Sequence, residues 1–391
     1  METFDAVIVG AGAAGLMSAI TAGSRGRRVL LLEHGEQAGA KILISGGGRC
    51  NFTNLEVTAD HFVSANPHFC KSALSRYTPR DFIAMVERYR IRYHEKTLGQ
   101  LFCDGSSREI LAMLLSECAA ARVDLRLGHR ITEVARSDRF RIETNRGSFD
   151  APALVIAAGG LSIPKLGATS FAYGLARRFG IPVIEPRPGL VPFRMAGETL
   201  DLCRTLTGVS ADAVVSCGKI KFHENILYTH RGLSGPAILQ ISTYWRGGDT
   251  ISIDLAPALE VESFLKDRKR VRPRAELRSV LAEIIPVRLA HAIAEAIAPS
   301  GSMANLTDHV LITVADRIKR WRVTPSESEG WAKAEVTAGG VDTAALSSKT
   351  MEARAVSGLY IVGEAADVTG WLGGYNFQWA WSSGWCAGQA I

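Results

Sequence analysis

None of the seven cysteines, at 50, 70, 103, 118, 203, 217 and 386, forms a CxxC pair or a Cys/His grouping at zinc-ligand spacing. That pattern excludes a structural zinc and a paired-cysteine redox centre, so no metal is expected. No uninterrupted apolar run approaches the roughly 18 to 20 residues of a spanning helix, and Glu2 and Asp5 stand where a secretory signal would be basic. The expectation is a cytoplasmic protein with reduced thiols and no membrane span. Fixed-period repeats and low-complexity stretches are absent too. With 47% hydrophobic and 21% charged residues there is ample apolar surface to build cores, and no compositional case for disorder.

What is present is a chain of 391 residues, long enough to require two domains. Its first 33 residues read as β-α-β: the apolar strand Ala6 to Val9, a glycine turn, a helix to about Ala22, and the strand Val29 to Leu32. Strands are predicted near 123–127, 131–134, 140–143 and 154–157, with a helix over about 107–121. From Pro182 onward proline and glycine punctuate short alternating stretches such as 213–216 and 251–254, which argues for β structure, with a helical segment from about Val261 to Ala298 embedded in it. After about Gly330 the small-residue, strand-and-turn pattern of the first domain resumes, with a strand over 358–362 and a helix from about Asn376. The expected fold class is therefore α/β: a Rossmann-like domain from 1–165 and 331–391, interrupted by an inserted β-rich substrate or cap domain, 166–330.

Gly10-Ala11-Gly12-Ala13-Ala14-Gly15 matches GxGxxG, a pattern that arises by chance too readily in a chain with 38 glycines to stand alone. Its context is specific. It follows a strand and opens a helix, and Glu33 ends the next strand 18 residues after Gly15. Gly10 would permit the sharp turn, Gly12 the approach of a pyrophosphate to Ala13, Ala14 and the helix N-terminus, and Gly15 close helix–strand packing. Glu33 would accept hydrogen bonds from the adenosine ribose. An ADP half is common to NAD and FAD, so this unit leaves the two open.

The other end of the chain favours FAD. Gly363-Glu364-Ala365-Ala366-Asp367 follows an apolar strand and precedes Gly373-Gly374-Tyr375-Asn376, which opens the last helix. Asp367 could bind a ribityl hydroxyl, and the helix N-terminus could face the flavin edge where charge accumulates on reduction. No second GxGxxG offers NAD(P)H a Rossmann domain of its own.

Together, the Gly10–Gly15 turn, Lys41 to Asn54 (KILISGGGRCNFTN), Thr229 to Pro236 (THRGLSGP) and Gly358 to Gln378 resemble the BaiN and aminoacetone oxidase family of FAD-dependent oxidoreductases, the YhiN-like flavoproteins. The resemblance spans essentially the whole chain. It implies that Lys41, Arg49, Asn51, Gly363, Asp367, Gly374, Tyr375, Asn376 and Phe377 lie near FAD, and Gly48, Cys50, Ile131, Ala158, Gly159 and Glu364 complete the expected cofactor set. The chain departs from the family pattern at Leu101 to Asp104 and at Ala168 to Phe171, which leaves the substrate open.

A flavin carries its own redox chemistry, so the protein has to position the substrate and tune the ring. Candidate catalytic side chains are Tyr375, as a hydroxyl above the ring or a packing group, His230, as a proton donor or a loop-stabilising residue, and Cys50, as a thiol with no second cysteine near it in sequence. Four tryptophans, at 371, 379, 381 and 385, are read as core packing. The net charge of +6 is concentrated locally at Lys266, Arg268, Lys269, Arg270, Arg272 and Arg274, without interleaved stacking aromatics. That run reads as a solvated helix face. The expected reaction is redox exchange between FAD and a small organic substrate, with NAD(P)H or dioxygen as the other partner and nucleic acid not expected. The alternative is an FAD-dependent protein that modifies or binds RNA through the 266–274 segment.

Overall fold

The computed structural model describes residues 2–298 and 302–391. Five short strands, four of them apolar nearly throughout, form its central parallel sheet: β1 (Ala6–Val9), β2 (Val29–Leu32), β3 (Asp124–Arg126), β4 (Ala153–Ile156) and β5 (Leu359–Ile361), in the order β5-β4-β1-β2-β3. Every residue of β1, β2, β4 and β5 is buried, as expected of parallel strands covered on both faces. The register aligns Ala6 with Val29 and Ala153, and Leu154 with Leu359. A strand from near the end of the chain thereby completes a sheet begun at residue 6.

Helix α1 (Ala13–Ser24) joins β1 to β2, and the last helix, α2 (Tyr375–Ala390), packs along it. The two backbones approach closely because α2 carries glycine at the crossing: a Cβ at Gly384 would lie 2.4 Å from the Ala14 carbonyl oxygen, and one at Gly388 would lie 2.6 Å from Thr21 Cβ. Ser18 Oγ donates to the Gly384 carbonyl at 3.0 Å across this contact. Trp379 and Trp381 are buried on α2 and donate their indole N–H groups to the carbonyls of Gly363 and Phe52, both at 2.9 Å. Trp381 also stacks between Phe82 and Phe377, so these rings are core.

The chain divides into two compact units, 1–188 with 335–391, and 189–334. These boundaries differ from those read from composition. Residues 166–188 belong to the first unit: the helix Phe171–Arg178 adds Ala172, Tyr173, Leu175 and Ala176 to its core, and the strand Val183–Gly189 pairs with Val336–Val341. The first unit also holds a three-stranded antiparallel sheet in the order Asn51–Asn54, Gln100–Cys103, Tyr93–Glu95.

The second unit is built on a seven-stranded sheet whose described pairings are antiparallel, with its longest strands at Ser210–Cys217 and Ile220–Thr229. Its helical segment is three helices rather than one: Val261–Val271, Leu277–Leu281 and Val287–Ile297. Pro273 and Pro286 fall in the two gaps, where each lacks the N–H that a continuing helix needs. No helix among the described residues is long and apolar enough to cross a membrane.

Candidate cofactor site

The glycine turn after β1 is dictated by crowding. Gly10 has φ +103°, and a Cβ there would stand 2.5 Å from the Ala157 carbonyl oxygen and 3.0 Å from Ala158 Cα. At Gly15 a Cβ would stand 1.8 Å from the Gly10 carbonyl oxygen. Gly12 is different: a Cβ there would meet nothing within 4 Å, so the space before α1 is open. No side chain caps α1 and no acid sits in its first turn. The amides of that turn are thus left for an external acceptor, with the positive end of the helix behind them.

Glu33, at the end of β2, closes this turn. Its Oε2 accepts from the Ala11 amide at 2.9 Å and its Oε1 from the Gly35 amide at 2.8 Å, with His34 Nδ1 at 2.9 Å. Burial pushes this carboxyl up, but the hydrogen bonds from His34, Gly35 and Ala11 outweigh it and hold its pKa below the ordinary glutamate value. An ionised carboxylate has about four acceptor sites, of which these three donors take three and leave one for a ribose hydroxyl. Gly159, left-handed and with an open Cβ side, continues from β4, and the His129 amide donates to the Glu33 carbonyl, which brings the strand containing Ile131 close to this end.

A second zone begins where β5 ends. A Cβ at Gly363 would lie 2.9 Å from Ala14 Cβ, which sets the C-terminal turn against the start of α1. Beside it Glu364 Oε2 receives the Lys41 ammonium at 2.6 Å, and its other oxygen, Oε1, accepts from the Thr337 amide at 2.9 Å and from Ser162 Oγ at 2.8 Å. Lys41 also donates to Ser162 Oγ at 2.7 Å. Burial pushes the Glu364 carboxyl up. The Lys41 charge and these hydrogen bonds outweigh that effect and leave it below the usual range.

The glycine loop Ser45–Gly48 carries left-handed φ values of 56°, 67° and 86° at Gly46, Gly47 and Gly48, and the last two have open space on their Cβ sides. The Asn51 amide, oriented to donate to the carbonyls of Thr53 and Leu101, accepts from the Gly374 amide, all at 3.1 Å. The glycine loop and the Gly373–Gly374 turn are thereby linked. A dinucleotide fits these residues: open glycine cradles at 12, 47, 48 and 159, an uncapped helix start and an ionised acid lie along one unit whose two chain ends meet at Ala14 and Gly363.

Several candidates occupy other roles than expected. Cys50 is fully buried, and desolvation raises its thiol pKa to about 12, so it is a protonated packing group and not a nucleophile. Asp367 is 3% exposed and its Oδ2 accepts from the Ala65 amide at 2.7 Å and Ser64 Oγ at 3.4 Å; it anchors that segment in place of standing free. Asn376 is likewise engaged, bonding the Gly370 amide and carbonyl at 2.8 Å each and the Trp371 carbonyl at 3.2 Å. Phe377 stacks on Trp381, and Arg49 is exposed. The Tyr375 ring lies on the His61 imidazole, centroids 4.5 Å apart. His230 is in an exposed turn of the second unit, between Ile220–Thr229 and Gly232–Ser234. Sequence reasoning missed His34, His61, Ser162 and Thr337, whose partners in the site, His34 apart, are remote in sequence.

Five of the six cations of the basic segment are in ion pairs. Lys266 pairs with Glu262 at 2.7 Å, Arg268 and Arg272 with Glu283 at 2.8 and 2.5 Å, Lys269 with Asp308 at 3.1 Å and Arg270 with Asp267 at 3.2 Å.

A parallel sheet completed from both ends of the chain, with an ADP-type turn at one end and a glycine-lined flavin-type turn at the other, defines a Rossmann-type FAD-dependent oxidoreductase. The chain belongs to the HI0933-like protein Rossmann domain family, which it matches over residues 4–390. It is 49% identical over 395 residues to the ribosomal RNA dihydrouridine synthase of Escherichia coli K12, covering 100% of this chain and 98% of that protein. It is 47% identical to the protein of the same name from Haemophilus influenzae, covering 98% of each. A 3-dehydro-bile acid delta(4,6)-reductase from Clostridium scindens is 29% identical, again over 98% of each. Among solved structures, a 3-ketosteroid-delta4-(5alpha)-dehydrogenase from Rhodococcus jostii shares the fold, with a TM-score of 0.51 at 13% identity, covering 99% of this chain and 97% of that one. The two synthases overturn the expectation that nucleic acid is not a partner: proteins similar along the whole chain have RNA as their named substrate.

Proposed function

We propose that this protein is an FAD-dependent ribosomal RNA dihydrouridine synthase. It reduces the C5=C6 bond of a uridine, with NAD(P)H as the hydride source. The reading rests above all on the 49% identity to a synthase of that name across 100% of this chain. The double bond of uracil is conjugated to the C4 carbonyl, so hydride adds at C6 and a proton at C5, and the product differs from uridine by one H2. FAD, when bound, supplies the hydride-transfer chemistry.

The chain's own residues hold and orient. The Gly10–Gly15 turn and the start of α1 receive the pyrophosphate, Glu33 accepts from a ribose hydroxyl, and the backbone of Gly47, Gly48 and Gly159 lies against the remainder of the cofactor. Lys41, fixed by Glu364 and Ser162, presents a positive charge beside the Gly363 turn. Tyr375, its ring held by His61, is the proposed proton donor through Oη. A ribosomal substrate is met in the cytoplasm.

The test is anaerobic incubation of the flavin-loaded protein with NADPH or NADH and rRNA from cells lacking the enzyme, followed by mass analysis of nucleosides. Dihydrouridine in the rRNA is the expected result. Flavin that is reduced by NAD(P)H but leaves that rRNA unmodified overturns the reading. The cofactor assignment is tested separately by Glu33→Arg, which places a cation where ribose hydroxyls seek an acceptor and removes the acceptor of the Ala11 amide. The expected outcome is loss of most bound FAD after gel filtration, and undiminished FAD content counts against the site.

A further inference from the structure

If ribosomal RNA is the substrate, phosphate-binding cations have to lie beside the cofactor site, and five of the six cations of the 266–274 segment are already held in ion pairs by Glu262, Asp267, Glu283 and Asp308. Unpaired cations are found elsewhere. Among the described residues Arg49, Arg90, Arg92 and Lys96 are exposed, and no carboxylate lies within ion-pair distance of any of them. Three carboxylates are interspersed with them and keep their charge, each with a hydrogen bond of its own: Asp104 with His94 Nδ1 at 2.7 Å, Glu87 from the Tyr93 hydroxyl at 2.9 Å, and Glu95 from the Gly99 amide at 3.1 Å.

Arg90, Arg92 and Lys96 flank the strand Tyr93–Glu95, and Arg49 follows the glycine loop that is bonded to the same sheet. Tyr93–Glu95 is an edge strand, and its alternation puts Arg92, His94 and Lys96 on one side. His94 pairs in register with Phe102 and its ring stacks on that of Phe102, centroids 6.2 Å apart, while the Lys96 ammonium lies 5.4 Å from the same ring. Arg90 and Arg92 line an adjoining open cleft of about 370 Å³ together with Glu87, Tyr93 and Asp104. The surface runs into the cofactor site: a Cβ at Gly46 would touch the Phe102 ring at 2.8 Å, and at the other end of that strand Gln100 lies 3.1 Å from a Cβ at Gly373. The Arg49 carbonyl accepts from the Cys103 amide at 2.9 Å, which fixes the glycine loop to the same sheet.

We propose that this face, the edge strand Tyr93–Glu95 with the adjoining glycine loop, is the docking surface for a single-stranded segment of ribosomal RNA. The proposal rests on the dihydrouridine synthase reading. Arg49, Arg90, Arg92 and Lys96 contact phosphates, and the outward face of His94, backed by Phe102, stacks on a base next to the one that enters the site. Single-stranded RNA suits it because a base that is to be reduced has to leave its stack, and chemistry on a base is done on unpaired or extruded nucleotides. Leu98, 68% exposed, adds an apolar contact at the end of the strand.

The experiment uses flavin-loaded protein and a fluorescent rRNA fragment containing the modified uridine, titrated at several salt concentrations. Arg90→Ala/Arg92→Ala/Lys96→Ala is expected to weaken binding at least tenfold and to flatten the log K against log salt slope by about 2, at roughly 0.7 per lost phosphate contact on a single strand. Its flavin content and its reduction by NADPH stay as in wild type. Arg268→Ala/Arg270→Ala/Arg272→Ala is expected to bind as wild type does. Lys96→Gln alone, flattening the slope by about 0.7, is the check against a misfolded triple variant. Wild-type affinity and slope retained by both the triple and the single variant overturn the docking surface while leaving the function standing. A wild-type protein that neither binds nor modifies rRNA overturns the function, and this surface with it.

Discussion

Gly15→Ala is expected to yield a protein that melts early and carries little flavin, whereas Gly12→Ala melts as wild type does and carries little flavin. The difference lies in what each new methyl meets. At Gly15 it would stand 1.8 Å from the Gly10 carbonyl oxygen, so α1 has to move away from the turn or the turn has to open. Overpacking of this kind costs about 3 kcal/mol when backbone must shift. At Gly12 the methyl meets no protein atom within 4 Å and stands in the space assigned to the pyrophosphate. Thermal melts of the flavin-free proteins and FAD-to-protein ratios after gel filtration separate the two effects. Full flavin retention by Gly12→Ala would remove the pyrophosphate from this turn.

Lys41→Met is expected to destabilise the first unit by about 2 kcal/mol at neutral pH, the low side of the cost of orphaning a buried charge, because this pair retains some solvent contact. The Lys41 and Glu364 side chains are 33% and 20% exposed. Removing the ammonium leaves the Glu364 carboxylate with its bonds from Ser162 and Thr337 but without a counter-charge. Burial alone would raise that carboxyl, and in the wild type Lys41 and the hydrogen bonds reverse the shift and depress it.

A depressed carboxyl contributes stability that is complete above its unfolded pKa and is lost as pH falls through its folded pKa. In Lys41→Met the buried carboxylate is instead relieved by protonation. The gap between the two proteins therefore narrows as the solution is acidified. Lys41→Met/Glu364→Gln should recover part of the loss at neutral pH, since no buried charge then lacks a partner. Denaturant midpoints across the acid-to-neutral range check both statements, and a gap that widens in acid rules out the pair as the source.

The parts of this architecture that can be read from sequence are those whose cause is local. Gly10 and Gly15 are legible because the turn has no room for a side chain at either position, whereas Gly12 borders open space. β1, β2, β4 and β5 are legible because strands buried on both faces are apolar throughout. What escapes depends on partners far along the chain. Nothing near Asp367 announces that its carboxylate belongs to the Ala65 amide, and nothing near Lys41 announces Glu364, 323 positions later. The 266–274 run looks like a source of RNA contacts in the alternative reading for the same reason, since Glu283 and Asp308, which pair with Arg268, Arg272 and Lys269, stand elsewhere in the chain. Residues 166–188 read as the start of the inserted domain, but their membership of the first unit is decided by the helix Phe171–Arg178 in its core and by pairing with Val336–Val341.

The completion of the parallel sheet by β5, and of the α1 surface by α2, has a consequence for biosynthesis. While the ribosome is still making residues 189–334, β4 has no neighbour on the side that later pairs with Leu359–Ile361, and α1 lacks the helix that crosses it at Gly384. The nascent polypeptide therefore waits with an unpaired ladder and an uncovered apolar helix, the two features that invite aggregation or chaperone binding. If the Gly363 turn is part of the flavin cradle, vitamin-derived pigment is captured only after translation has passed residue 363, and riboflavin starvation should then leave full-length but immature molecules, not truncated ones.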